Sequence, residues 1–458
     1  MPLAVTASFH DACKHDGFVE HPLHTRDLYR MVLPCGHMNG SMPSTKCRLS
    51  QNYIIVKEGF IPSNHLRRRN RVRPMTNQMI VKGFSSQRTD TAQRYSCSGT
   101  KLGSTRALWF DVNSTGTEPE PASLQDYALL GLLYPAMKYG LNLVIEGEIS
   151  GPLLFLARED VQRLLLAFDP SLKRIDIDAL PVWNSSHRER KSIRAGTGFS
   201  AGVDSFAALA SFHTAKLENQ ARVTDLFLMN VGAFGAGMGR NTQRAFDQSA
   251  TRMVAYAEKT SRHAHRIDSN LQQFYAADGL PFSKTHTLRN LAVASLFHNE
   301  IDIYFYASGA CYADTRIIGA KDVAYIDPIL IPMLTPLGMR FMGANPGMDR
   351  IEKTRLVAED IDAQKLLDVC VASAGIKAAF AAKGKNCSNC SKCFRTMLTL
   401  DALGLLDRFN DVFDVDSYRK RIKGIAESVR RRGVKGSPVD MAAYNAFMAS
   451  ESGAVLAD

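Results

Sequence analysis

No run of this 458-residue sequence approaches the roughly 18 consecutive apolar residues that a membrane-spanning helix needs. The opening MPLAVTASFHDACKHD lacks a basic region followed by an apolar core, so it does not read as a signal peptide. Cysteines number nine, are odd in count, and are sparse outside one C-terminal group, which argues against a secreted disulfide scaffold. The expectation is a cytoplasmic protein in a reducing compartment, with no membrane partner. Acidic residues are in deficit, and the formal net charge is +11. Residues 1–100 hold 14 Lys/Arg against 6 Asp/Glu and so carry +8 of that excess. The charge therefore belongs mainly to an appendage, and the body is close to neutral.

Within residues 1–103 no hydrophobic period is sustained, although YIIV (Tyr53–Val56) has strand character. Cys13, Cys35, Cys47 and Cys97 are too irregularly spaced to suggest a metal site. From Arg67 to Pro74 the sequence RRRNRVRP places five arginines in seven residues, suited to neutralising phosphates, but without interleaved aromatics for base stacking. The segment reads as a basic, poorly ordered or loosely folded extension, with a nucleic-acid arm as the alternative.

Residues 104–190 read as a small α/β accessory domain. RALWFDVNS is a strand, LQDYALLGLLYPAMKYG a helix stopped by Gly140, LNLVIEGEIS a strand, GPLLFLAREDVQRLLLAFDP a helix and LKRIDIDAL an alternating strand. No acid/base or nucleophilic set clusters there, which points to support, substrate closure or homodimerisation.

The stretch AGTGFSAGVDSFAAL (Ala195–Leu209) combines a small-residue loop with the start of a helix. Small residues allow close backbone approach, and the free N–H groups of a helix start suit an anion such as phosphate. Ser200 and Ser205 supply hydroxyls, and Asp204 could order the loop or a magnesium ion. An ordinary capped helix after a glycine turn is the other reading. Strands and helices then alternate through residue 410, which predicts a mostly parallel sheet with ligand loops at the strands' carboxyl ends. In THTLRN, His286, Arg289 and Asn290 stand at a loop–helix junction, where Arg289 could meet phosphate or serve a cap. SGACYADTR places Ser308, Gly309, Asp314 and Arg316 after an apolar strand, and Asp327 precedes a proline and an apolar run. His263 and His265 alternate in HAHRIDSN, an edge or short strand, and are assigned surface or packing roles.

Cys387, Cys390 and Cys393 form C-x2-C-x2-C, with Cys370 upstream. Four thiolates can close a tetrahedron around zinc, leaving no open position and hence a structural role; an iron–sulfur cluster is the rival. Lys385, Lys392 and Arg395 would offset thiolate charge. Residues 411–458 read as a basic helical tail with a solvated face.

S-A-G-V-D-S at 200–205 resembles the pyrophosphate loop of the ATP-pyrophosphatase (PP-loop) superfamily, commonly S-G-G-x-D-S. Together with the cysteine group, THTLRN and GACYAD…YIDP, it resembles 7-cyano-7-deazaguanine synthase over residues 191–405. In departure, Ala201 stands in place of the second-position glycine, the Cys370–Cys387 gap is longer, and Tyr325, Ile326, Asp327 and Pro328 replace the substrate-side Tyr-Pro-Asp-Cys-Arg pattern. The resemblance implies an adenine nucleotide alpha hydrolase-like (HUP/PP-loop) fold over 191–410, with ATP, Mg2+ and Zn2+ as cofactors. It implies nucleotide contacts from Gly198, Ser200, Ala201, Gly202, Val203, Asp204, Ser205, Asn290 and Gly309, with Ser200, Asp204, Ser205 and Arg289 in the chemistry. His286, Asp314, Arg316 and Asp327 fall on the substrate side, and Cys370, Cys387, Cys390 and Cys393 bind the metal. The implied reaction adenylates a carboxylate, such as that of a 7-deazapurine, and lets ammonia or another amine displace AMP. The alternatives are an RNA-modifying sulfurtransferase and a non-catalytic nucleotide-binding module.

Overall fold

Ten strands hydrogen-bond side by side in one sheet, in a computed structural model that describes residues 77–101, 107–116, 120, 122–184, 193–212, 222–235, 239–277 and 279–457. Cys13, Cys35, Cys47, Tyr53–Val56 and Arg67–Pro74 lie outside the described residues. The strands are β1 (Gln78–Arg88), β2 (Gln93–Gly99), β3 (Ala107–Ser114), β4 (Asn142–Ser150), β5 (Ile177–Val182), β6 (Ala195–Gly198), β7 (Val223–Asn230), β8 (His263–Ser269), β9 (Ile303–Tyr306) and β10 (Arg340–Gly343). Across the sheet they run β10-β9-β6-β7-β8-β3-β2-β1-β4-β5.

The first five in that order, β10 to β8, are all parallel. β6 comes first of them in sequence but sits at their centre. The chain leaves it first towards β7 and β8 and later crosses to β9 and β10, so a switch point opens beyond the carboxyl end of β6. β3, β2 and β1 then join by antiparallel ladders, and β4 and β5 add in parallel to β1. The block β1-β4-β5 thus runs opposite to the block that contains β6.

Helices cover both faces. Along β7, Leu226 and Leu228 enter one hydrophobic cluster while Phe227 and Met229 enter the other, the period-two alternation of a sheet buried on each side. One cluster takes α1 (Asp126–Tyr139), α2 (Gly151–Arg158), α3 (Asp160–Phe168) and later helices; the other begins with α4 (Val203–Phe212) and α5 (Arg240–Lys259). Helix α1 is buried almost all round because its apolar residues are not confined to one stripe. Gly140 closes it with φ 67°, its N–H donating to the Ala136 and Met137 carbonyls, as the sequence predicts. The remaining helices are α6 (Leu271–Ala276), α7 (His286–Ser295), α8 (Asp327–Met333), α9 (Arg350–Ala358), α10 (Ile361–Leu366), α11 (Ala374–Ala381), α12 (Ser391–Ala402), α13 (Val415–Val434), α14 (Pro438–Met448) and α15 (Glu451–Ala457). None is long and apolar enough to cross a membrane.

Four expectations need correction. Residues 78–99, assigned to a loose extension, form β1 and β2 inside the sheet, with Cys97 buried; residues 104–190 share that sheet and are no separate layer. The described residues fall in one unit, Val72–Asp458. Strand β8 is central rather than an edge, since β3 pairs with its far side. His265 on β8 is buried: its Nε2 lies 2.7 Å from Asp225 Oδ1, its Nδ1 2.7 Å from Ser114 Oγ, and its ring stacks on Phe227. Arg194 donates to both oxygens of Asp225 at 2.8 and 2.6 Å. The tail helices are not simply solvated, because Val415, Tyr418, Ile425 and Val429 of α13 enter the core.

Candidate functional site

A cavity of about 630 Å3 opens at the switch point beyond β6. Its floor is the turn from β6 into α4, where Gly198, Ser200, Gly202, Val203, Asp204 and Ser205 line it. Phe199 anchors this turn: it is buried, stacks on Tyr256 at 5.0 Å and meets Phe206 edge-on at 5.1 Å. Its N–H donates to Phe227 O at 2.8 Å, and the Asp368 N–H donates to Ala201 O at 2.7 Å.

Ala201 adopts φ 57°, the left-handed region that favours glycine. The position where the resembled loop carries glycine is thus one whose backbone calls for it, and alanine is the smallest side chain that tolerates it. The Ala201 side faces a neighbouring cleft with Phe199, Leu228 and Arg252, while the main cavity is lined by its neighbours. Relief of strain in Ala201→Gly is offset by the looser unfolded chain, so its stability should match the parent within about 0.5 kcal/mol. Ala201→Val should cost more than about 1 kcal/mol, since branching is worst in this region. Urea unfolding of the two variants checks the contrast.

Cations converge on the turn. Arg350 Nη2 donates to Asp204 Oδ2 at 2.9 Å, and Lys353 Nζ lies 3.7 Å from Oδ1, which accepts no hydrogen bond. Lys353 is buried and also donates to Ser308 O at 3.0 Å. Burial opposes charge on Asp204, but Arg350 and Lys353 outweigh it and lower its pKa. Lys377, Lys392 and Arg395 line the same cavity. Lys377 lies 3.6 Å from Asp368, and Arg395 3.7 Å from Asp440. Lys392 forms no ion pair among the described residues, and desolvation together with Arg395 lowers its pKa. Such a set favours a multiply charged anion over the helix start of α4. No cage for a divalent cation stands ready here: Asp204, the turn's one carboxylate, is already neutralised by two cations.

The opposite wall is aromatic and polar. His286 Nδ1 lies 2.7 Å from Tyr306 Oη and its Nε2 3.0 Å from Asp322 Oδ1; Asn290 donates to the same Tyr306 hydroxyl at 3.3 Å. His286, Asn290, Tyr306, Asp322 and Tyr325 all reach the cavity, and Gly309 borders it nearer to Arg350.

Besides Ala201, four predicted residues are not brought there. Arg289 points into the core, stacking on Tyr275 at 3.8 Å and donating to Val231 O at 3.1 Å, Leu280 O at 3.3 Å and Gln272. Burial lowers its pKa to about 10, and its role is to knit α7 to the β7 exit. Asp314 accepts from Cys311 Sγ at 3.4 Å, and Arg316 lies 4.2 Å over the Tyr325 ring, bracing a wall residue from behind. Asp327 is fully buried beside a second cavity of about 440 Å3, accepting from Thr287 at 2.7 Å and Ser308 at 2.9 Å.

Burial raises the Asp327 pKa from 3.8 to about 6. The folded state therefore holds its proton more tightly than the unfolded chain, and this stabilisation is present below about pH 4 and lost as pH rises through 6. A rise of this size corresponds to about 3 kcal/mol. Asp327→Asn should flatten the decline of stability between pH 4 and 6, read by thermal melts across that range. Asp126, raised to about 6 by the same cause, keeps part of the slope.

Arg350, Lys353 and Lys377 were not singled out from the sequence, and Lys392 and Arg395 were assigned only to thiolate charge. The available signal was weak: Arg350 and Lys353 stand three apart on α9, hence on one face.

Beside the cavity, Cys370, Cys387, Cys390 and Cys393 bring their sulfurs within 4.8 Å of one another. Cys393 Sγ is 3.4 Å from that of Cys390 and 3.8 Å from that of Cys387. Tetrahedral zinc with bonds of about 2.3 Å needs sulfurs about 3.8 Å apart, so the cluster fits a metal-binding knuckle. Ser388, at φ 51°, turns the C-x2-C segment back on itself, and the Val371 N–H points at Cys390 Sγ from 3.4 Å. Arg421 of α13 clamps the turn through Asn389 Oδ1 at 2.9 Å and Ser388 O at 3.3 Å. The site thus joins a mixed, mostly parallel α/β sheet, a turn ringed by cations at its switch point and a four-cysteine cluster; no known family, curated protein or solved structure matches this chain.

Proposed function

We propose that this chain is a PP-loop ATP-pyrophosphatase that adenylates a carboxylate and then forms a C–N bond, in the manner of 7-cyano-7-deazaguanine synthase. The observation that carries the reading is the turn at Ser200–Ser205, with Ala201 in the left-handed conformation at the switch point, facing Arg350, Lys377, Lys392 and Arg395. Those cations and the α4 amides take the β and γ phosphates of ATP. A substrate carboxylate oxygen attacks the α-phosphorus, the bond to the β-phosphate oxygen breaks, and pyrophosphate leaves onto the cations. Ammonia or another amine then attacks the acyl carbon of the mixed anhydride, and AMP departs with the electron pair of the C–O bond. Magnesium carried on the nucleotide's phosphates would supply further charge neutralisation there. His286, Asn290, Asp322 and the tyrosines Tyr306 and Tyr325 form the wall available to a planar, hydrogen-bonding acceptor such as a 7-deazapurine.

Among the described residues no observation favours sulfur transfer: the cysteines near the cavity are gathered in the knuckle, and Cys311 is buried against Asp314. The test is product analysis by mass spectrometry after incubation with ATP, magnesium, ammonia and 7-carboxy-7-deazaguanine. AMP and pyrophosphate dependent on the carboxylate are expected, together with an amide or nitrile. ATP binding without AMP release under any carboxylate would leave a nucleotide-binding module and overturn catalysis.

A further inference from the structure

We infer that the cysteine knuckle is the positioning element of the phosphate site, so that metal occupancy and anion binding are thermodynamically coupled. The inference rests on the phosphate reading of the cavity. Three observations carry it.

The first is sequence position. Lys392 stands between Cys390 and Cys393, and Arg395 two residues beyond, on the opening turn of α12. Both side chains reach the cavity, so the thiolates that fix the knuckle also fix where these two charges sit. The second is the link to the phosphate turn. The Asp368 N–H holds Ala201 O at 2.7 Å, while Asp368 Oδ1 accepts from the Cys370 N–H at 3.2 Å and Oδ2 from Arg252 at 2.7 Å. One short segment thus connects the first cysteine to the residue held in the left-handed conformation. The third is Asn386, buried next to Cys387: it accepts from the Val369 N–H at 2.8 Å and donates to Leu367 O at 2.7 Å, joining the arm of Cys370 to the arm of the other three.

Four thiols gathered this closely suit a metal, whose bonds to sulfur would tie the two arms together; without one, only hydrogen bonds and apolar packing join them. If the arms part, Lys392 and Arg395 withdraw and Ala201 loses the contact that opposes its relaxation. Occupancy then changes anion affinity, and by linkage the anion changes metal affinity by the same factor.

Magnesium pyrophosphate is the probe, with the full chain loaded with zinc. Calorimetry should show binding that weakens about 10- to 100-fold once a chelator has removed the metal. Competition with a chromophoric chelator should show zinc held tighter by the same factor when magnesium pyrophosphate is present. Lys392→Ala should weaken pyrophosphate binding to the loaded protein and shrink the factor. Hydrogen exchange on the stripped protein should speed at residues 199–205 and 387–396 while β7 and β9 stay protected. Equal pyrophosphate affinity with and without zinc overturns the coupling and leaves the phosphate site standing. Loss of protection throughout β7 and β9 also overturns it, since the knuckle would then hold the whole fold. Absence of pyrophosphate and ATP binding by the loaded protein overturns both readings.

Discussion

Asp225→Ala is expected to cost about 3–5 kcal/mol of folding stability, the range for removing one partner of a buried ion pair. Asp225 is fully buried on β7 and is held by Arg194, His265 and the Thr224 hydroxyl at 2.6 Å. Burial alone would raise its pKa, but His265 and Arg194 outweigh burial and depress it below the usual carboxylate range. The sign follows: the contribution is complete above the ordinary carboxylate pKa and is lost as pH falls below it, through the lowered folded value. Removing the carboxylate strands two groups, one of them the imidazole, which stacks on Phe227 and meets Phe297 edge-on. Urea unfolding at pH 7 measures the cost, and the acid limb of a pH–stability curve measures its origin. A variant within 1 kcal/mol of the parent, with an unchanged acid limb, would falsify the assignment of this network as a stability element.

Cys393→Ala is expected to abolish stable metal binding. Cys393 is fully buried, and its sulfur lies 3.4 Å from that of Cys390 and 3.8 Å from that of Cys387. Structural zinc sites of four ligands supply about 10–16 kcal/mol, so one thiolate accounts for roughly 3 kcal/mol and its loss weakens affinity on the order of 100-fold. Elemental analysis after dialysis against a mild chelator should find about one zinc per chain in the parent and little in the variant. The control is Cys97→Ala. That thiol is equally buried, in β2, and burial pushes its pKa up to about 12, yet it has no part in the cluster. It should cost stability through its small cavity and leave metal content unchanged. Equal metal in both variants would show that the cluster does not bind it.

Elements with a strong period were legible in the sequence: α1, β4, β7, α5 and β9 stand where their apolar spacing puts them. β1 was not, because only Met79 and Val81 of its eleven residues are buried, too few to make a pattern. β6 was legible only through its neighbours. Its AGTG has no large apolar side chain, and a Cβ on Gly196 would come within 2.5 Å of the Phe227 ring that occupies the space instead. The cysteine cluster was legible because its ligands are mostly local. The cation set was not, because Arg350, Lys377 and Lys392 come from three helices and look, in sequence, like ordinary surface charge. Arg289 shows the converse: a charged residue in a suggestive position whose guanidinium is spent on an aromatic ring and carbonyls inside the core.

The β3–β8 ladder has a consequence for synthesis of the chain. Phe110 pairs with Ser269, and Trp109 N–H with Asn270, so one edge of β3 waits through about 160 residues of translation for its partner. At about 5–20 residues per second, that interval lasts on the order of 10–30 s. During it β3 presents an unpaired backbone edge, with Leu108, Phe110 and Val112 not yet covered on the finished core. The nascent N-terminal half therefore depends on protection from strand-to-strand association until β8 has left the ribosome, and truncations ending between 120 and 260, all of which lack β8, should aggregate.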